Sequence, residues 1–153
     1  MHDSVARQSR DFSMLLSTTE PISGAGESPN FFPLVLYQTA IGGGSGTLSY
    51  RLDVDPGVEY LLWLHFAELD STVTAGVRVF DVFVNNQNYT RLDIFSKVGY
   101  LKAFTWHSRV GQIRGNQILV DLKSVVGVPI LCGLESFAIV AAGVTTYPKQ
   151  GIL

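Results

Sequence analysis

The chain has 153 residues, of which 46% are hydrophobic and 16% charged. That length fits one domain, which buries roughly two-thirds of the surface its unfolded chain exposes, and the composition excludes a disordered chain. A formal charge of −2, with no cluster of Lys and Arg beyond Arg7 and Arg10 near the N-terminus, excludes electrostatic recognition of nucleic acid. The single cysteine, Cys132, has no partner for an internal disulfide. It lies in the apolar run Val128-Pro129-Ile130-Leu131-Cys132, where a buried, inert thiol is expected. His2, His65 and His107 are far apart and form no spaced pair with Cys or His, so no metal and no cofactor are expected. Residues 137–144 form the longest relevant apolar stretch, far short of the ~20 residues of a membrane span. The opening Met1-His2-Asp3-Ser4-Val5-Ala6-Arg7 has no apolar signal-peptide core.

Residues 1–30 are rich in Ser, Thr, Pro, Gly and charge, and read as a poorly ordered lead-in anchored only by Phe12 and Met14-Leu15-Leu16. Residues 31–142 read as the folded domain, and 143–153 as a C-terminal tail or the start of a linker. Period-2 patterning marks the strands. Over residues 47–54, Leu48, Tyr50, Leu52 and Val54 share one face, and the turn Asp55-Pro56-Gly57 follows. Residues 59–69 carry apolar side chains on both faces, as in a central strand covered on both sides. A strand over 76–85 leads into Asn85-Asn86-Gln87-Asn88, which reads as a hairpin connection. Further strands are expected over 89–94, 102–107, 116–124 and 130–140. Seven or eight short strands with no 3.6-residue apolar stripe predict an all-β fold, an antiparallel β-sandwich of the jelly-roll-like type seen in lectins and carbohydrate-binding modules.

The run Gly42-Gly43-Gly44-Ser45-Gly46 lacks the Lys-Ser/Thr ending and following helix of a phosphate loop, and reads as a flexible loop before a strand. Paired carboxylates serve glycoside hydrolysis, and Glu68 and Asp70 share a face at the end of a strand, with Asp81 and Glu135 on others. An i, i+2 pair at a strand end is more often a solvated rim, and no Gly-x-Ser-x-Gly elbow is present. A glycosidase is therefore the weakest reading, and the chain is expected not to be an enzyme. Recognition of a sugar asks for aromatic rings beside fixed polar groups. Trp63, His65, Asp81, Phe83, Glu135 and Phe137 would form such a platform if their faces align; otherwise the aromatics are second-layer core.

The pattern of motifs resembles the malectin and malectin-like domains. Leu36-Tyr37-Gln38-Thr39, Tyr50, Tyr60, Leu64-His65-Phe66-Ala67-Glu68, Arg78-Val79-Phe80-Asp81-Val82, Leu92-Asp93-Ile94-Phe95-Ser96-Lys97-Val98-Gly99 and Leu131-Cys132-Gly133-Leu134 carry it in order. The resemblance covers about residues 11–140. Malectin is an endoplasmic-reticulum lectin of glucosylated N-glycans, and malectin-like domains form ectodomains of plant receptor-like kinases and leucine-rich-repeat receptor-like proteins. His65-Phe66-Ala67-Glu68 and Tyr147-Pro148-Lys149-Gln150 resemble the plant phrasing most. The resemblance implies a non-catalytic binding module of the secretory pathway or cell surface, with an oligosaccharide, a cell-wall glycan or a protein or peptide as partner. The missing leader, the missing opening strand of the family and the end at Leu153 lead to the expectation of a truncated gene product or a fragment of a longer receptor-like chain.

The departures bear on the ligand. Asp70 and Ser71 stand where malectin has the aromatic pair that contacts its disaccharide; Ile41-Gly42 replaces a tyrosine, and Gly127-Val128 an acid. The residues expected at the site are Trp63, His65, Glu68, Asp70, Asp81 and Phe83; carbohydrate binding is what the family resemblance implies, while Asp70 and Ser71 in place of the aromatic pair favour protein partners. A domain without sugar affinity that dimerises through an exposed sheet edge is the alternative. Asn88-Tyr89-Thr90 is an N-glycosylation triplet, expected on a loop.

Overall fold

The computed structural model describes residues 7–8, 13–111, 113–139 and 146–151. The fold is the antiparallel β-sandwich that the strand pattern predicts. One sheet has the order β1 (Arg7–Gln8), β4 (Thr47–Asp53), β9 (Gln117–Val126), β6 (Val79–Val84), β7 (Gln87–Leu92). The second has the order β12 (Thr146–Gly151), β11 (Gly133–Ile139), β5 (Glu59–Ala67), β8 (Ala103–Val110). A small third sheet, β10 (Ile130–Leu131), β3 (Thr39–Gly43), β2 (Ser13–Ser17), lies beside them, with two short helices, α1 (Leu34–Tyr37) and α2 (Ile94–Val98).

Alternation decides what each sheet buries. Leu48, Tyr50 and Leu52 of β4, Ile118, Val120 and Leu122 of β9, and Phe80, Val82 and Val84 of β6 are all buried. They meet Tyr60, Leu62, Leu64 and Phe66 of β5 in one core, where the rings of Phe66 and Phe80 lie 5.7 Å apart. At roughly 1.5–3 kcal/mol per fully buried large apolar side chain, this cluster is the main driving force for folding.

Several elements differ from the sequence reading. Within the segment expected as a lead-in, Ser13–Ser17 forms β2 and Ile22 is buried. Within the segment expected as a tail, Thr146–Gly151 pairs with β11, opposite Phe137 at Pro148. Proline is tolerated there because β12 is an edge strand. The apolar run over 130–140 is not one strand: Cys132 separates β10, in the small sheet, from β11. Its position 140 lies outside the described residues. The glycine run is half strand. Gly42 and Gly43 end β3, and a Cβ on Gly43 would stand 2.7 Å from the Thr47 carbonyl oxygen. Asn85 and Asn86, at φ 48° and 66°, form the two-residue turn that joins β6 to β7.

The central strand is β5, paired with β11 on one side and β8 on the other. Its second face, Leu61, Trp63 and His65, points away from the sandwich core. That face is not left bare, because the chain around α1 folds over it.

Candidate ligand-binding site

The face of the second sheet turned away from the core is built from rows fixed by register. Phe137, Leu61 and Arg109 form one row, Glu135, Trp63 and His107 the next, and Gly133, His65 and Thr105 the third. Over these rows lies the segment from Pro29 to Tyr37. Between segment and sheet is a cavity of about 460 Å³, walled by Phe31, Phe32, Leu36, Leu61, Trp63 and Phe137, with His65 and Glu135 as its polar groups.

The segment is pinned from below. The Phe32 ring lies parallel to the His65 imidazole, centroids 4.1 Å apart at 4°, and meets Tyr37 edge-on at 6.0 Å. This stack requires Gly133: a Cβ there would stand 2.8 Å from Phe32 Cζ. Asn30 holds the other end, its Nδ2 donating to the Ala103 carbonyl at 3.4 Å and its Oδ1 accepting from the Thr105 hydroxyl at 2.7 Å.

His65 is the hub. It is 2% exposed, and its Nε2 lies 2.9 Å from Glu135 Oε2. Its Nδ1 lies 2.9 Å from the Tyr37 hydroxyl and 3.2 Å from Thr105 Oγ1. The Thr105 hydroxyl donates to Asn30, Nε2–H donates to the Glu135 carboxylate, and Nδ1 shares a three-way contact with the Tyr37 and Thr105 hydroxyls, which lie 3.1 Å apart. Burial pushes the Tyr37 hydroxyl up to about 12, against the lowering effect of its Thr105 contact, so it stays a donor at neutral pH. The arrangement fixes the Glu135 carboxylate and orients it at the cavity. Trp63 is held by a stack on His107, centroids 4.6 Å apart.

Of the residues expected to form the site, Trp63 and His65 come together here, with Glu135 and Phe137 of the wider platform. The other four stand elsewhere. Glu68 is fully buried at the end of β5, where Arg78 Nε donates to Oε2 at 2.7 Å and Nη2 to Oε1 at 3.2 Å. Arg78 also donates from Nη1 to the Val128 carbonyl at 2.6 Å, so this pair ties strand ends together. Asp70 caps its own turn by accepting from Thr72 N and Oγ1, and these bonds hold its carboxyl below the usual carboxylate range. Asp81 and Phe83 lie on β6, in the other sheet. The Arg91 guanidinium binds Asp81 at 2.8 and 3.1 Å and lowers its pKa, while the Lys123 ammonium sits 4.3 Å above the Phe83 ring. Alternation assigns a face within a strand but not the sheet to which that strand belongs, so it could not separate these residues from Trp63. Asn88 is exposed within β7, opposite Phe83, and not on the loop where it is expected.

Phe32, Tyr37 and Thr105 contribute without having been read as site residues from the sequence, Tyr37 having entered only as part of the Leu36-Tyr37-Gln38-Thr39 motif. The signal for the first was Phe31-Phe32-Pro33 before an apolar Leu34-Val35-Leu36, aromatic weight outside any strand pattern. Cys132 is buried as expected, and desolvation raises its thiol to about 12.

Comparison with known proteins places this geometry in a family. The chain is 39% identical over 131 residues to Receptor-like protein 4 of Arabidopsis thaliana, covering 82% of this chain and 21% of that protein. It is 36% identical over 123 residues to the Kinesin-like protein KIN-14R of the same plant, covering 78% and 10%. It thus spans about a fifth or less of these curated relatives. Among solved structures, the plant receptor-like kinase ANX1 superposes with a TM-score of 0.77 at 22% identity, over 87% of this chain and 40% of that one. A chain from the complex of the plant peptide RALF23 with FER and LLG2 gives 0.74 at 21% identity, over 86% and 40%. These structural likenesses bear on the fold alone. The model of the malectin-like domain matches residues 4–139, so with this sandwich and these motifs the chain belongs to the malectin-like domain family.

Proposed function

We propose that the chain is a non-catalytic recognition module that holds its ligand in the cavity between the α1 segment and the outer face of β11-β5-β8. The observation that carries this reading is a cavity of about 460 Å³ with aromatic walls and one fixed hydrogen-bonding pair, the usual make-up of a binding pocket. Protein or peptide ligands are favoured over oligosaccharides. A sugar ring brings several hydroxyls that each need a partner on burial, and with both His65 nitrogens already bonded the lining side chains offer few beyond Glu135. Phe31, which lines the cavity and is 69% exposed, and Leu34 and Val35 of the same segment, 47% and 65% exposed, suit an apolar protein surface. The non-catalytic reading is supported by the acids: Glu68 is locked to Arg78, and Asp70 to its turn.

The similarity to Receptor-like protein 4 favours a role at the cell surface or in the secretory pathway, as part of a longer receptor-like chain. In that setting Asn88, exposed and followed by Thr90, would carry an N-glycan. A second reading, self-association through an edge, rests on β2, an edge strand with Met14 and Leu15 50% and 71% exposed. A monomer in light scattering at high concentration would remove it.

The test of the main reading is binding of the protein and of Trp63→Ala to printed peptide and glycan libraries. Peptide features should bind the unmodified protein and weaken at least about tenfold in the variant, as expected for a central aromatic anchor. Binding to glycans alone, or binding indifferent to Trp63, would overturn it.

A further inference from the structure

The cavity carries a single carboxylate whose hydrogen bonding is half complete. Glu135 Oε2 is taken by His65 Nε2, whereas Oε1 has no hydrogen-bond donor among the described residues. Glu135 keeps 16% of its side chain exposed and lines the cavity. Around it the walls are apolar and aromatic: Trp63 is its cross-strand neighbour, and Leu61 and Phe137 form the adjacent row.

We infer that the cavity takes a cationic side chain of a peptide ligand, an arginine or a lysine, with its charged head on Glu135 Oε1 and its aliphatic stem along Trp63, Leu61 and Phe137. This rests on the recognition reading above and names the ligand's chemistry. Three features converge on it. A carboxylate in an apolar lining needs a donor from the ligand, and a charged donor gives the stronger bond. Long cationic side chains have the amphipathic form of this cavity, an apolar stem ending in a polar head. The indole of Trp63 adds a π-face next to the carboxylate, which favours the planar guanidinium of arginine over the lysine ammonium. His65, itself braced by Tyr37 and Thr105, holds the carboxylate in place before the ligand arrives. Affinity therefore gains from preorganisation.

The test uses four blocked tripeptides, acetyl-Gly-X-Gly-amide, with X as arginine, lysine, citrulline or norleucine, followed by the amide and indole NMR signals of the full chain. Citrulline and norleucine keep the stems and lose the charge. Arginine should bind about tenfold more tightly than citrulline, and lysine more tightly than norleucine, the gain of a hydrogen bond to a charged group. Glu135→Gln should reduce both ratios to within about twofold, and ratios that survive it would overturn the assignment. Equal binding of charged and uncharged members by the unmodified protein would overturn the cationic assignment and leave the recognition site standing. Maltose moving the Trp63 signal with no tripeptide doing so would overturn the assignment in favour of a sugar. Silence of the Trp63 signal toward all of these probes would remove both.

Discussion

Gly133 and Phe32 illustrate how the site depends on single atoms. The Phe32 ring occupies the space a side chain at position 133 would need, and the ring in turn forms the roof of His65. Gly133→Ala should therefore lift Phe32 off the imidazole and cost about 1–3 kcal/mol, the range for overpacking a filled interior. Denaturant unfolding measures it, and an unchanged midpoint would contradict the contact. A second consequence concerns protons. Cys132, Tyr37 and Tyr50 are buried, and desolvation raises all three pKa values in the folded chain, the first two to about 12. Their ordinary values are about 8.5 for the thiol and about 10 for the phenols. The unfolded chain releases these protons first, so the folded state holds more protons at alkaline pH. Stability is then full below about pH 8 and falls as pH rises above it, by up to about 1.4 kcal/mol per pH unit for each ionising group. Urea midpoints between pH 7 and 10.5 should decline; a flat profile would contradict the burial of these groups.

At the scale of elements, the site depends on how β5 is held. Its C-terminal end is fixed by the buried pair of Glu68 with Arg78, which also reaches the Val128 carbonyl before β10. Removing one partner leaves an uncompensated buried charge. Arg78→Ala should cost about 3–5 kcal/mol, far more than a surface pair would. Loss of Arg91, whose side chain is 62% exposed beside Asp81, should change stability by about 0–1 kcal/mol. Comparable losses for the two arginines in denaturant unfolding would refute the distinction. The strands themselves were legible: β4, β6 and β9 announce their faces by alternation, and β5 its central place by an apolar run on both faces. The α1 segment was not, since Phe31, Phe32 and Leu36 follow no period and acquire meaning only when the chain folds over β5. For the same reason Trp63, His65, Glu135 and Phe137 could be read as a platform, while its roof and its bracing by Tyr37 and Thr105 could not. Asp81 and Phe83 show the opposite limit: period-2 patterning gives the face of a residue but leaves open which sheet carries it.

At the scale of the whole molecule, the sandwich separates two outer surfaces with different characters. The first sheet shows a charged face, with Asp81 on Arg91 and Lys123 over Phe83 already satisfying one another. The second sheet shows an aromatic face, partly roofed, with a carboxylate left half-bonded. The central claim is that recognition belongs to the second. The chain contains two tryptophans, and they report on opposite faces of the second sheet. Trp63 lines the cavity, whereas Trp106 packs edge-on against Tyr89 at 6.2 Å on the core side. Two-dimensional NMR of the indole N–H signals during titration with acetyl-Gly-Arg-Gly-amide should move Trp63 in a saturable way and leave Trp106 in place. A titration that moves Trp106 or the signals around Phe83 and Lys123, with Trp63 unmoved, would contradict it.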